Sequence, residues 1–325
     1  MEKSTLPAFM AFLGLTCVAA APAATLEVAA KIELPDCEGR IDHLAYDAVG
    51  ERLFIAELGN NSVAIVDVKK GRLDRRLQGL EEPQGIAFFP ELQRLYVANG
   101  GDGSIAAYDS KTFKLVNSRK LGGDADNIRI DAADKLVYVG HGEGAIAVLD
   151  ASTLKPVGEI PLTGHPESFQ LSPVDRHIYM NVPDLRQVVV GDLKHRRQIA
   201  AWPTKGWSAN FPMAIDSTGN AVLTVFRKPA VIARYSMQGG AVTTHAEVCG
   251  DADDVFIDEK RNRVYVICGE GVVEVMKRET LERIDRVSTS PGARTGLFSA
   301  AADTLFVAAR ATGGKSAAIY ALKPR

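Results

Sequence analysis

Residues 122–139 read GGDADNIRIDAADKLVYV, and residues 250–266 read GDADDVFIDEKRNRVYV. The shared GDAD begins at Gly123 and returns at Gly250, 127 residues later. Each copy runs from an acidic loop into a short apolar strand, a tight polar turn and a second strand centred on Tyr138 or Tyr265. Looser copies fill the rest of the chain. The central residue of the second strand falls at Phe54, Tyr96, Tyr138, Tyr179, Leu223, Tyr265 and Phe306, at intervals of 42, 42, 41, 44, 42 and 41. A period near 42 holding about four β-type segments is the signature of a propeller blade. Seven such units predict an all-β fold, a seven-bladed β-propeller. No stretch sustains a helical period of 3.6 for three turns.

The second copy shows the pattern within a blade. Residues 85–89 form strand a, 90–93 a turn, 94–99 strand b and GGDG at 100–103 a hairpin turn. Residues 104–109 form strand c, SKTF at 110–113 turns, and 114–121 form strand d. Gly, Asp, Asn, Ser and Pro in the turns supply left-handed or side-chain-capped conformations. Val, Ile, Leu, Tyr and Ala in the strands suit burial on both faces. The seventh copy, from Gly296, has room for three strands before Arg325. Residues 25–34, TLEVAAKIEL, read as a strand without a partner of its own. That strand is expected to close the last blade through Leu26, Val28 and Ile32, removing an open edge.

The segments RLYVAN (94–99) and KLVYVG (135–140), followed by SIAAYD (104–109) and AIAVLD (145–150), share a pattern. The last of them leads into the turn segment ASTLKPV at 151–157. They resemble the YVTN repeats of the YncE-like β-propeller family of exported bacterial proteins. The resemblance covers residues 25–325. It implies the fold strongly and the function weakly, because propellers host unrelated activities. Blade five, with AVLTVFRKPAVIARYSM at 221–237, departs most from the pattern.

The first 24 residues stand apart. Lys3 gives a weak positive start, residues 6–18 are mostly apolar, and Ala21-Pro22-Ala23 offers a small-residue cleavage site. This reads as a signal peptide, too short to be a membrane span. Cys17 follows Gly14-Leu15-Thr16, a poor match to a lipobox. Residues 25–325 are then one propeller domain, periplasmic or secreted, with no span left after signal removal. Three cysteines remain, Cys37, Cys249 and Cys268. An oxidising compartment permits one bridge, and Cys249–Cys268 is the better-placed pair. The chain has 325 residues, is 46% hydrophobic and carries a formal charge of −2. With no basic block, no nucleic-acid footprint is visible.

The repeat register puts the loops entering each innermost strand on one face, around the channel mouth. Just ahead of those strands stand Asp42, Gln84, Asp126, Glu167, Phe211, Asp253 and Arg294. One residue further in come His43, Gly85, Asn127, Ser168, Pro212, Asp254 and Thr295, with Asp124, Asp251 and His165 further out. Converging carboxylates repel each other and call for compensation. A hard cation, internal neutralisation by Arg294 and His43, or plain hydration would each supply it. The candidate ligand-binding set is Asp42, His43, Gln84, Asp126, Asn127, Glu167, Asn210, Asp253, Asp254 and Arg294. Its metal candidates are Asp42, Asp126, Glu167 and Asp253. No cofactor is read with certainty, and a divalent cation, calcium or manganese, is the one these residue types would accept. His43, His141 and His165, with Glu167 and Asp126, have the donor types of a mixed nitrogen–oxygen metal site, but without tight spacing.

No nucleophile elbow or phosphate loop is present. Two functions follow from the sequence. One is an exported scaffold that binds a small molecule or an exported protein through its polar, acidic channel face. The other is a divalent-metal-dependent hydrolase of the lactonase type, with the metal at the channel mouth.

Overall fold

A computed structural model describes residues 1–2, 24–142 and 144–325. The segment read as a signal peptide, Cys17 included, lies almost wholly outside the described residues. The chain from residue 26 onward folds into seven four-stranded antiparallel sheets. Blades 1 to 6 span residues 44–78, 83–120, 128–161, 169–203, 208–247 and 252–288. Blade 7 takes its three inner strands from 295–324 and its outermost strand from Leu26–Leu34. Each innermost strand touches the innermost strand of the next blade, and that of blade 7 touches that of blade 1. The blades therefore form a closed ring.

The seven marker residues lie at the centres of second strands and are no more than 1% exposed. Around them lie seven apolar clusters, each shared by two adjacent blades. Tyr96 keeps its one polar side-chain atom satisfied within such a cluster. Its ring is buried between blades 2 and 3, and its hydroxyl donates to the carbonyl of Ala151 at 2.6 Å. Each buried aromatic ring stabilises the fold by roughly 1.5–3 kcal/mol.

The same period marks the backbone. Three residues before each marker stand Glu51, Lys135, Asn262 and their counterparts, all left-handed with φ between 47° and 58°. None of the seven is glycine. The tight turn between the first two strands imposes this conformation, and the ring of packed blades bears its cost.

In blade 7, Leu26–Leu34 pairs antiparallel with Ala317–Pro324. Leu26, Ile32 and Leu34 are buried. Val28, expected to pack inward, is instead 44% exposed, because the register slips between Val28 and Ala30. Thr25 ties this strand to blade 6: its backbone N–H and hydroxyl donate to Asp285 at 2.9 and 2.8 Å. A disulfide joins Cys249, in the connection from blade 5 to blade 6, to Cys268, which ends the second strand of blade 6. Cys37 is a buried free thiol, its pKa pushed up to about 12 by burial first and then by Glu57.

Candidate functional site

The channel mouth gathers most of the residues picked out above. Blade 1 delivers Asp42 and His43, whose own backbones bond to Ala56 and so pin the loop: the Asp42 N–H donates to the Ala56 carbonyl and the Ala56 N–H to the His43 carbonyl. Blade 3 delivers Asp126 and Asn127 by the same device against Gly140. Glu167 is held by its backbone N–H on the carbonyl of Asn181. In blades 2, 5 and 6 a bulge breaks the register at the mouth end of the innermost strand. Bulges re-aim side chains. In blade 6 the slip falls between Ala252 and Asp254, which leaves Asp253 free of the ladder.

Arginines neutralise Asp42, Asp253 and Asp251. Arg40 lies 2.8 Å from Asp42. Asp253 is held on two sides, by Arg227 at 2.5 Å and Arg294 at 2.8 Å. Arg294 also reaches Asp251 at 3.0 Å, and Arg227 stacks over the Phe211 ring at 4.2 Å. His43 Nε2 stands between two carboxylates, 3.8 Å from Asp42 and 3.9 Å from Asp126. Gln84 donates to Asp124 at 3.1 Å. Among the described residues Glu167, Asp254 and Asp124 have no arginine ion pair, and Asp126 is the most enclosed of the acids left without one. It is buried, no arginine pairs with it, and its Oδ1 has no hydrogen-bond donor.

Electrostatics follow from that layout. Burial, then the charges of Asp42, Glu167 and Asp124, hold the Asp126 carboxyl well above the usual carboxylate range. Burial also raises Asp254 well above that range, against a hydrogen bond from the Gly296 N–H at 2.8 Å. Glu167 and Asp253 move in the same direction with burial as the first cause, while their arginine and histidine neighbours oppose it. Burial lowers His43, favouring the neutral ring. Arg40 is disfavoured by burial, but the combined charges of Asp42, Asp253, Asp126 and Glu167 outweigh that and raise its pKa.

The four metal candidates are thus the four acids that act on Arg40. Among the described residues, no three His, Cys, Asp or Glu side chains are arranged to hold a metal ion. Asn210 is not at the mouth either. It is fully buried between blades 4 and 5, donating to Asn181 Oδ1 at 3.2 Å and to the Gln187 carbonyl at 3.0 Å. The histidines stay apart. His141 is buried with Glu159 at 3.6 Å, and His165 bonds the Gly142 carbonyl at 2.6 Å on the rim.

Below the mouth lies a cavity of about 330 Å³. His43, Arg129, Gln170 and Asp254 supply its polar wall, and Ile86, Ile128, Phe256 and Phe298 part of its apolar wall. A second cavity of about 460 Å³ shares Gln170, Phe256 and Phe298 and extends to Lys260 and Asp303 on the opposite face. Sequence reasoning missed Arg40, Arg227, Arg129 and Gln170. Arg129 had a visible signal: it occupies the place in the first quoted copy that Phe256 takes in the second.

Comparison with known proteins places the chain among propellers. Residues 47–199 match the family described as "Cytochrome D1 heme domain". Hydrazine synthase from Kuenenia stuttgartiensis is similar in structure, with a TM-score of 0.73 at 18% identity. That match covers 82% of this chain and 91% of the hydrazine synthase chain. At that identity the likeness shows the fold. No curated protein matches this chain.

Proposed function

We propose that this protein is an exported, YncE-like propeller that works as a binding scaffold. Its ligand, a small molecule or a segment of an exported protein, brings N–H donors and positive charge to the acidic mouth. One observation carries this reading: the buried Asp126 carboxylate, whose Oδ1 has no donor in a ring where Asp42 and Asp253 are arginine-paired. A buried acceptor without a donor costs about 1–3 kcal/mol, which a donor-bearing ligand recovers. The Cys249–Cys268 disulfide supports an oxidising compartment, in keeping with the signal-like residues 1–24. No helix among the described residues is long and apolar enough to cross a membrane.

The match to a haem-domain family raises haem as a ligand, and the mouth does not fit it. Haem needs an axial donor over an open face and cations for its carboxylates. His43 is wedged between two acids, and His141 is buried. Arg40, Arg227 and Arg294 are already committed to Asp42, Asp253 and Asp251. The divalent-metal hydrolase finds no support in the donor set, since Asp42 and Asp253 face Arg40, Arg227 and Arg294, and among the described residues no three His, Cys, Asp or Glu side chains converge on one point.

Thermal melts of the mature protein test the reading. A diamine such as 1,4-diaminobutane should raise the melting temperature, by the equivalent of roughly 2.7 kcal/mol at a hundredfold excess over Kd. Asp126→Asn should abolish the rise. A rise with calcium or manganese but none with the diamine would replace the scaffold reading with the metal one.

A further inference from the structure

A second feature of the channel is a cation without an anion. Arg129 projects from the innermost strand of blade 3, Ile128–Asp131, into the cavity below the mouth. Its Nε donates to Gln170 Oε1 at 3.2 Å, and its Nη1 to the Ile128 carbonyl at 2.7 Å and to Asn127 Oδ1 at 3.4 Å. Its guanidinium stacks on Phe169, 5.5 Å from the ring centroid. Among the described residues no carboxylate lies within 4.0 Å of it, and its Nη2 has no hydrogen-bond partner. Arg40, Arg227 and Arg294 differ, each holding a carboxylate at 2.8, 2.5 and 2.8 Å respectively.

We infer that the cavity around Arg129 is a binding subsite for a small monocarboxylate with a short apolar body. The guanidinium is positioned by three bonds and a ring stack, so its remaining donors are already oriented. With Nε and Nη1 engaged, the two N–H groups of Nη2 remain to donate, charge-assisted, to a carboxylate. Ile86, Ile128, Phe256 and Phe298 give the ligand's carbon chain an apolar wall. A cavity of about 330 Å³ is at the small end of ligand pockets, which run from about 300 Å³. Multivalent anions are disfavoured, because Asp254 lines the same space and Asp126 stands three residues before Arg129. Burial already lowers the Arg129 pKa, against the pull of Asp254 and Asp126, so the group gains from an anion that enters with it. Entry need not pass the mouth, since the cavity toward Lys260 and Asp303 shares Gln170, Phe256 and Phe298 with this one.

This subsite goes beyond the scaffold reading and shares with it only the channel as the place of binding. Calorimetric titration of the full mature chain tests it, using butyrate, with butyramide and sulfate as controls. Butyrate should bind one per chain, and butyramide and sulfate at least tenfold more weakly. Arg129→Gln should weaken butyrate at least tenfold, and Arg129→Lys should recover part of the loss. Phe256→Ala, which removes a ring from the apolar wall and opens room for a longer chain, should shift preference from butyrate toward hexanoate even if Arg129→Gln folds poorly. Equal binding of butyrate and butyramide, tighter binding of sulfate, or full butyrate affinity in Arg129→Gln would overturn the subsite. So would the absence of any carboxylate binding to the wild-type chain. The melting response to 1,4-diaminobutane should survive in Arg129→Gln, so the loss of one reading leaves the other standing.

Discussion

Blades 3 and 6 open on the same four residues, GDAD, yet their aspartates live in different chemistry. Asp253 is clamped by Arg227 from blade 5 and Arg294 at the entrance to blade 7. Asp126 has Gly100 and Glu167 at the corresponding places in blades 2 and 4. Among the described residues the one basic side chain within 4.0 Å of it is His43, at 3.9 Å, whose neutral ring burial favours. The outer aspartates differ in the same way. Asp251 pairs with Arg294 at 3.0 Å, while Asp124 accepts from Gln84 at 3.1 Å and faces His165 at 3.8 Å. One step inward, Arg129 and Phe256 share a position but not a character. Identical local sequence builds the same loop, and the neighbouring blades decide what that loop does.

The largest effect should come from unclamping the blade 6 copy. Arg227→Met leaves Asp253 with Arg294 alone. Breaking a lone buried pair costs roughly 3–5 kcal/mol. With one arginine retained we expect about 2 kcal/mol in urea unfolding, most of it recovered by adding Asp253→Asn. No recovery in the double variant would mean that Arg227 acts through its stacking on Phe211 instead.

The blade 3 copy should respond with the opposite sign. Asp126→Asn removes a carboxyl whose charged form is disfavoured by burial and by neighbouring acids, and should stabilise the ligand-free protein by up to about 1 kcal/mol at neutral pH. Asp253→Asn should destabilise it. Equal losses from both substitutions would erase the distinction between the copies.

A pH series sharpens the contrast. A carboxyl whose folded pKa is raised holds its proton after the unfolded chain has released it. Its contribution to stability therefore falls as pH climbs from about 4 to the raised value and is flat beyond it. Burial gives Asp126, Asp254, Glu167 and Asp253 this direction. His43 is lowered, so its contribution runs the other way: it is present above about 6.5 and lost as pH falls toward the folded value. Stability of Asp126→Asn relative to wild type should thus rise with pH from about 4 upward. A flat difference across urea midpoints from pH 4 to 8 would place the Asp126 pKa in the ordinary range.

The smallest effect concerns the turn after the first strand. Lys135 and Asn262 are equivalent residues, both at φ 53°. Asparagine enters the left-handed region more readily than lysine. Lys135→Asn should stabilise by a few tenths of a kcal/mol and Asn262→Lys should cost as much, read from paired melting curves. Changes of the same sign would show that side-chain contacts, not backbone preference, dominate there.

Most of the fold was legible without coordinates. The markers at Phe54, Tyr96, Tyr138, Tyr179, Leu223, Tyr265 and Phe306 are the buried centres of seven second strands. Their spacing was readable because each blade buries the same positions against the next. The left-handed turn residues were not legible, since Glu51, Lys135 and Arg176 carry no glycine signal. The site was half legible. Loop position put Asp42, Asp126, Glu167 and Asp253 together, but placed Asn210 with them although it packs between blades.

What the sequence alone determined is the repeat: seven blades, their order and the face on which the acidic loops emerge. These follow from local periodicity, in which each residue's role depends on neighbours a few positions away. What only the tertiary structure decided is the pairing of charges. Arg227 and Asp253 are 26 residues apart, and Arg294 and Asp253 are 41 apart. Whether such groups meet depends on bulges, on blade-to-blade packing and on which side chain reaches first. A repeat encodes the position of each acid; its partner comes from another blade, where the repeat leaves the residue free to vary.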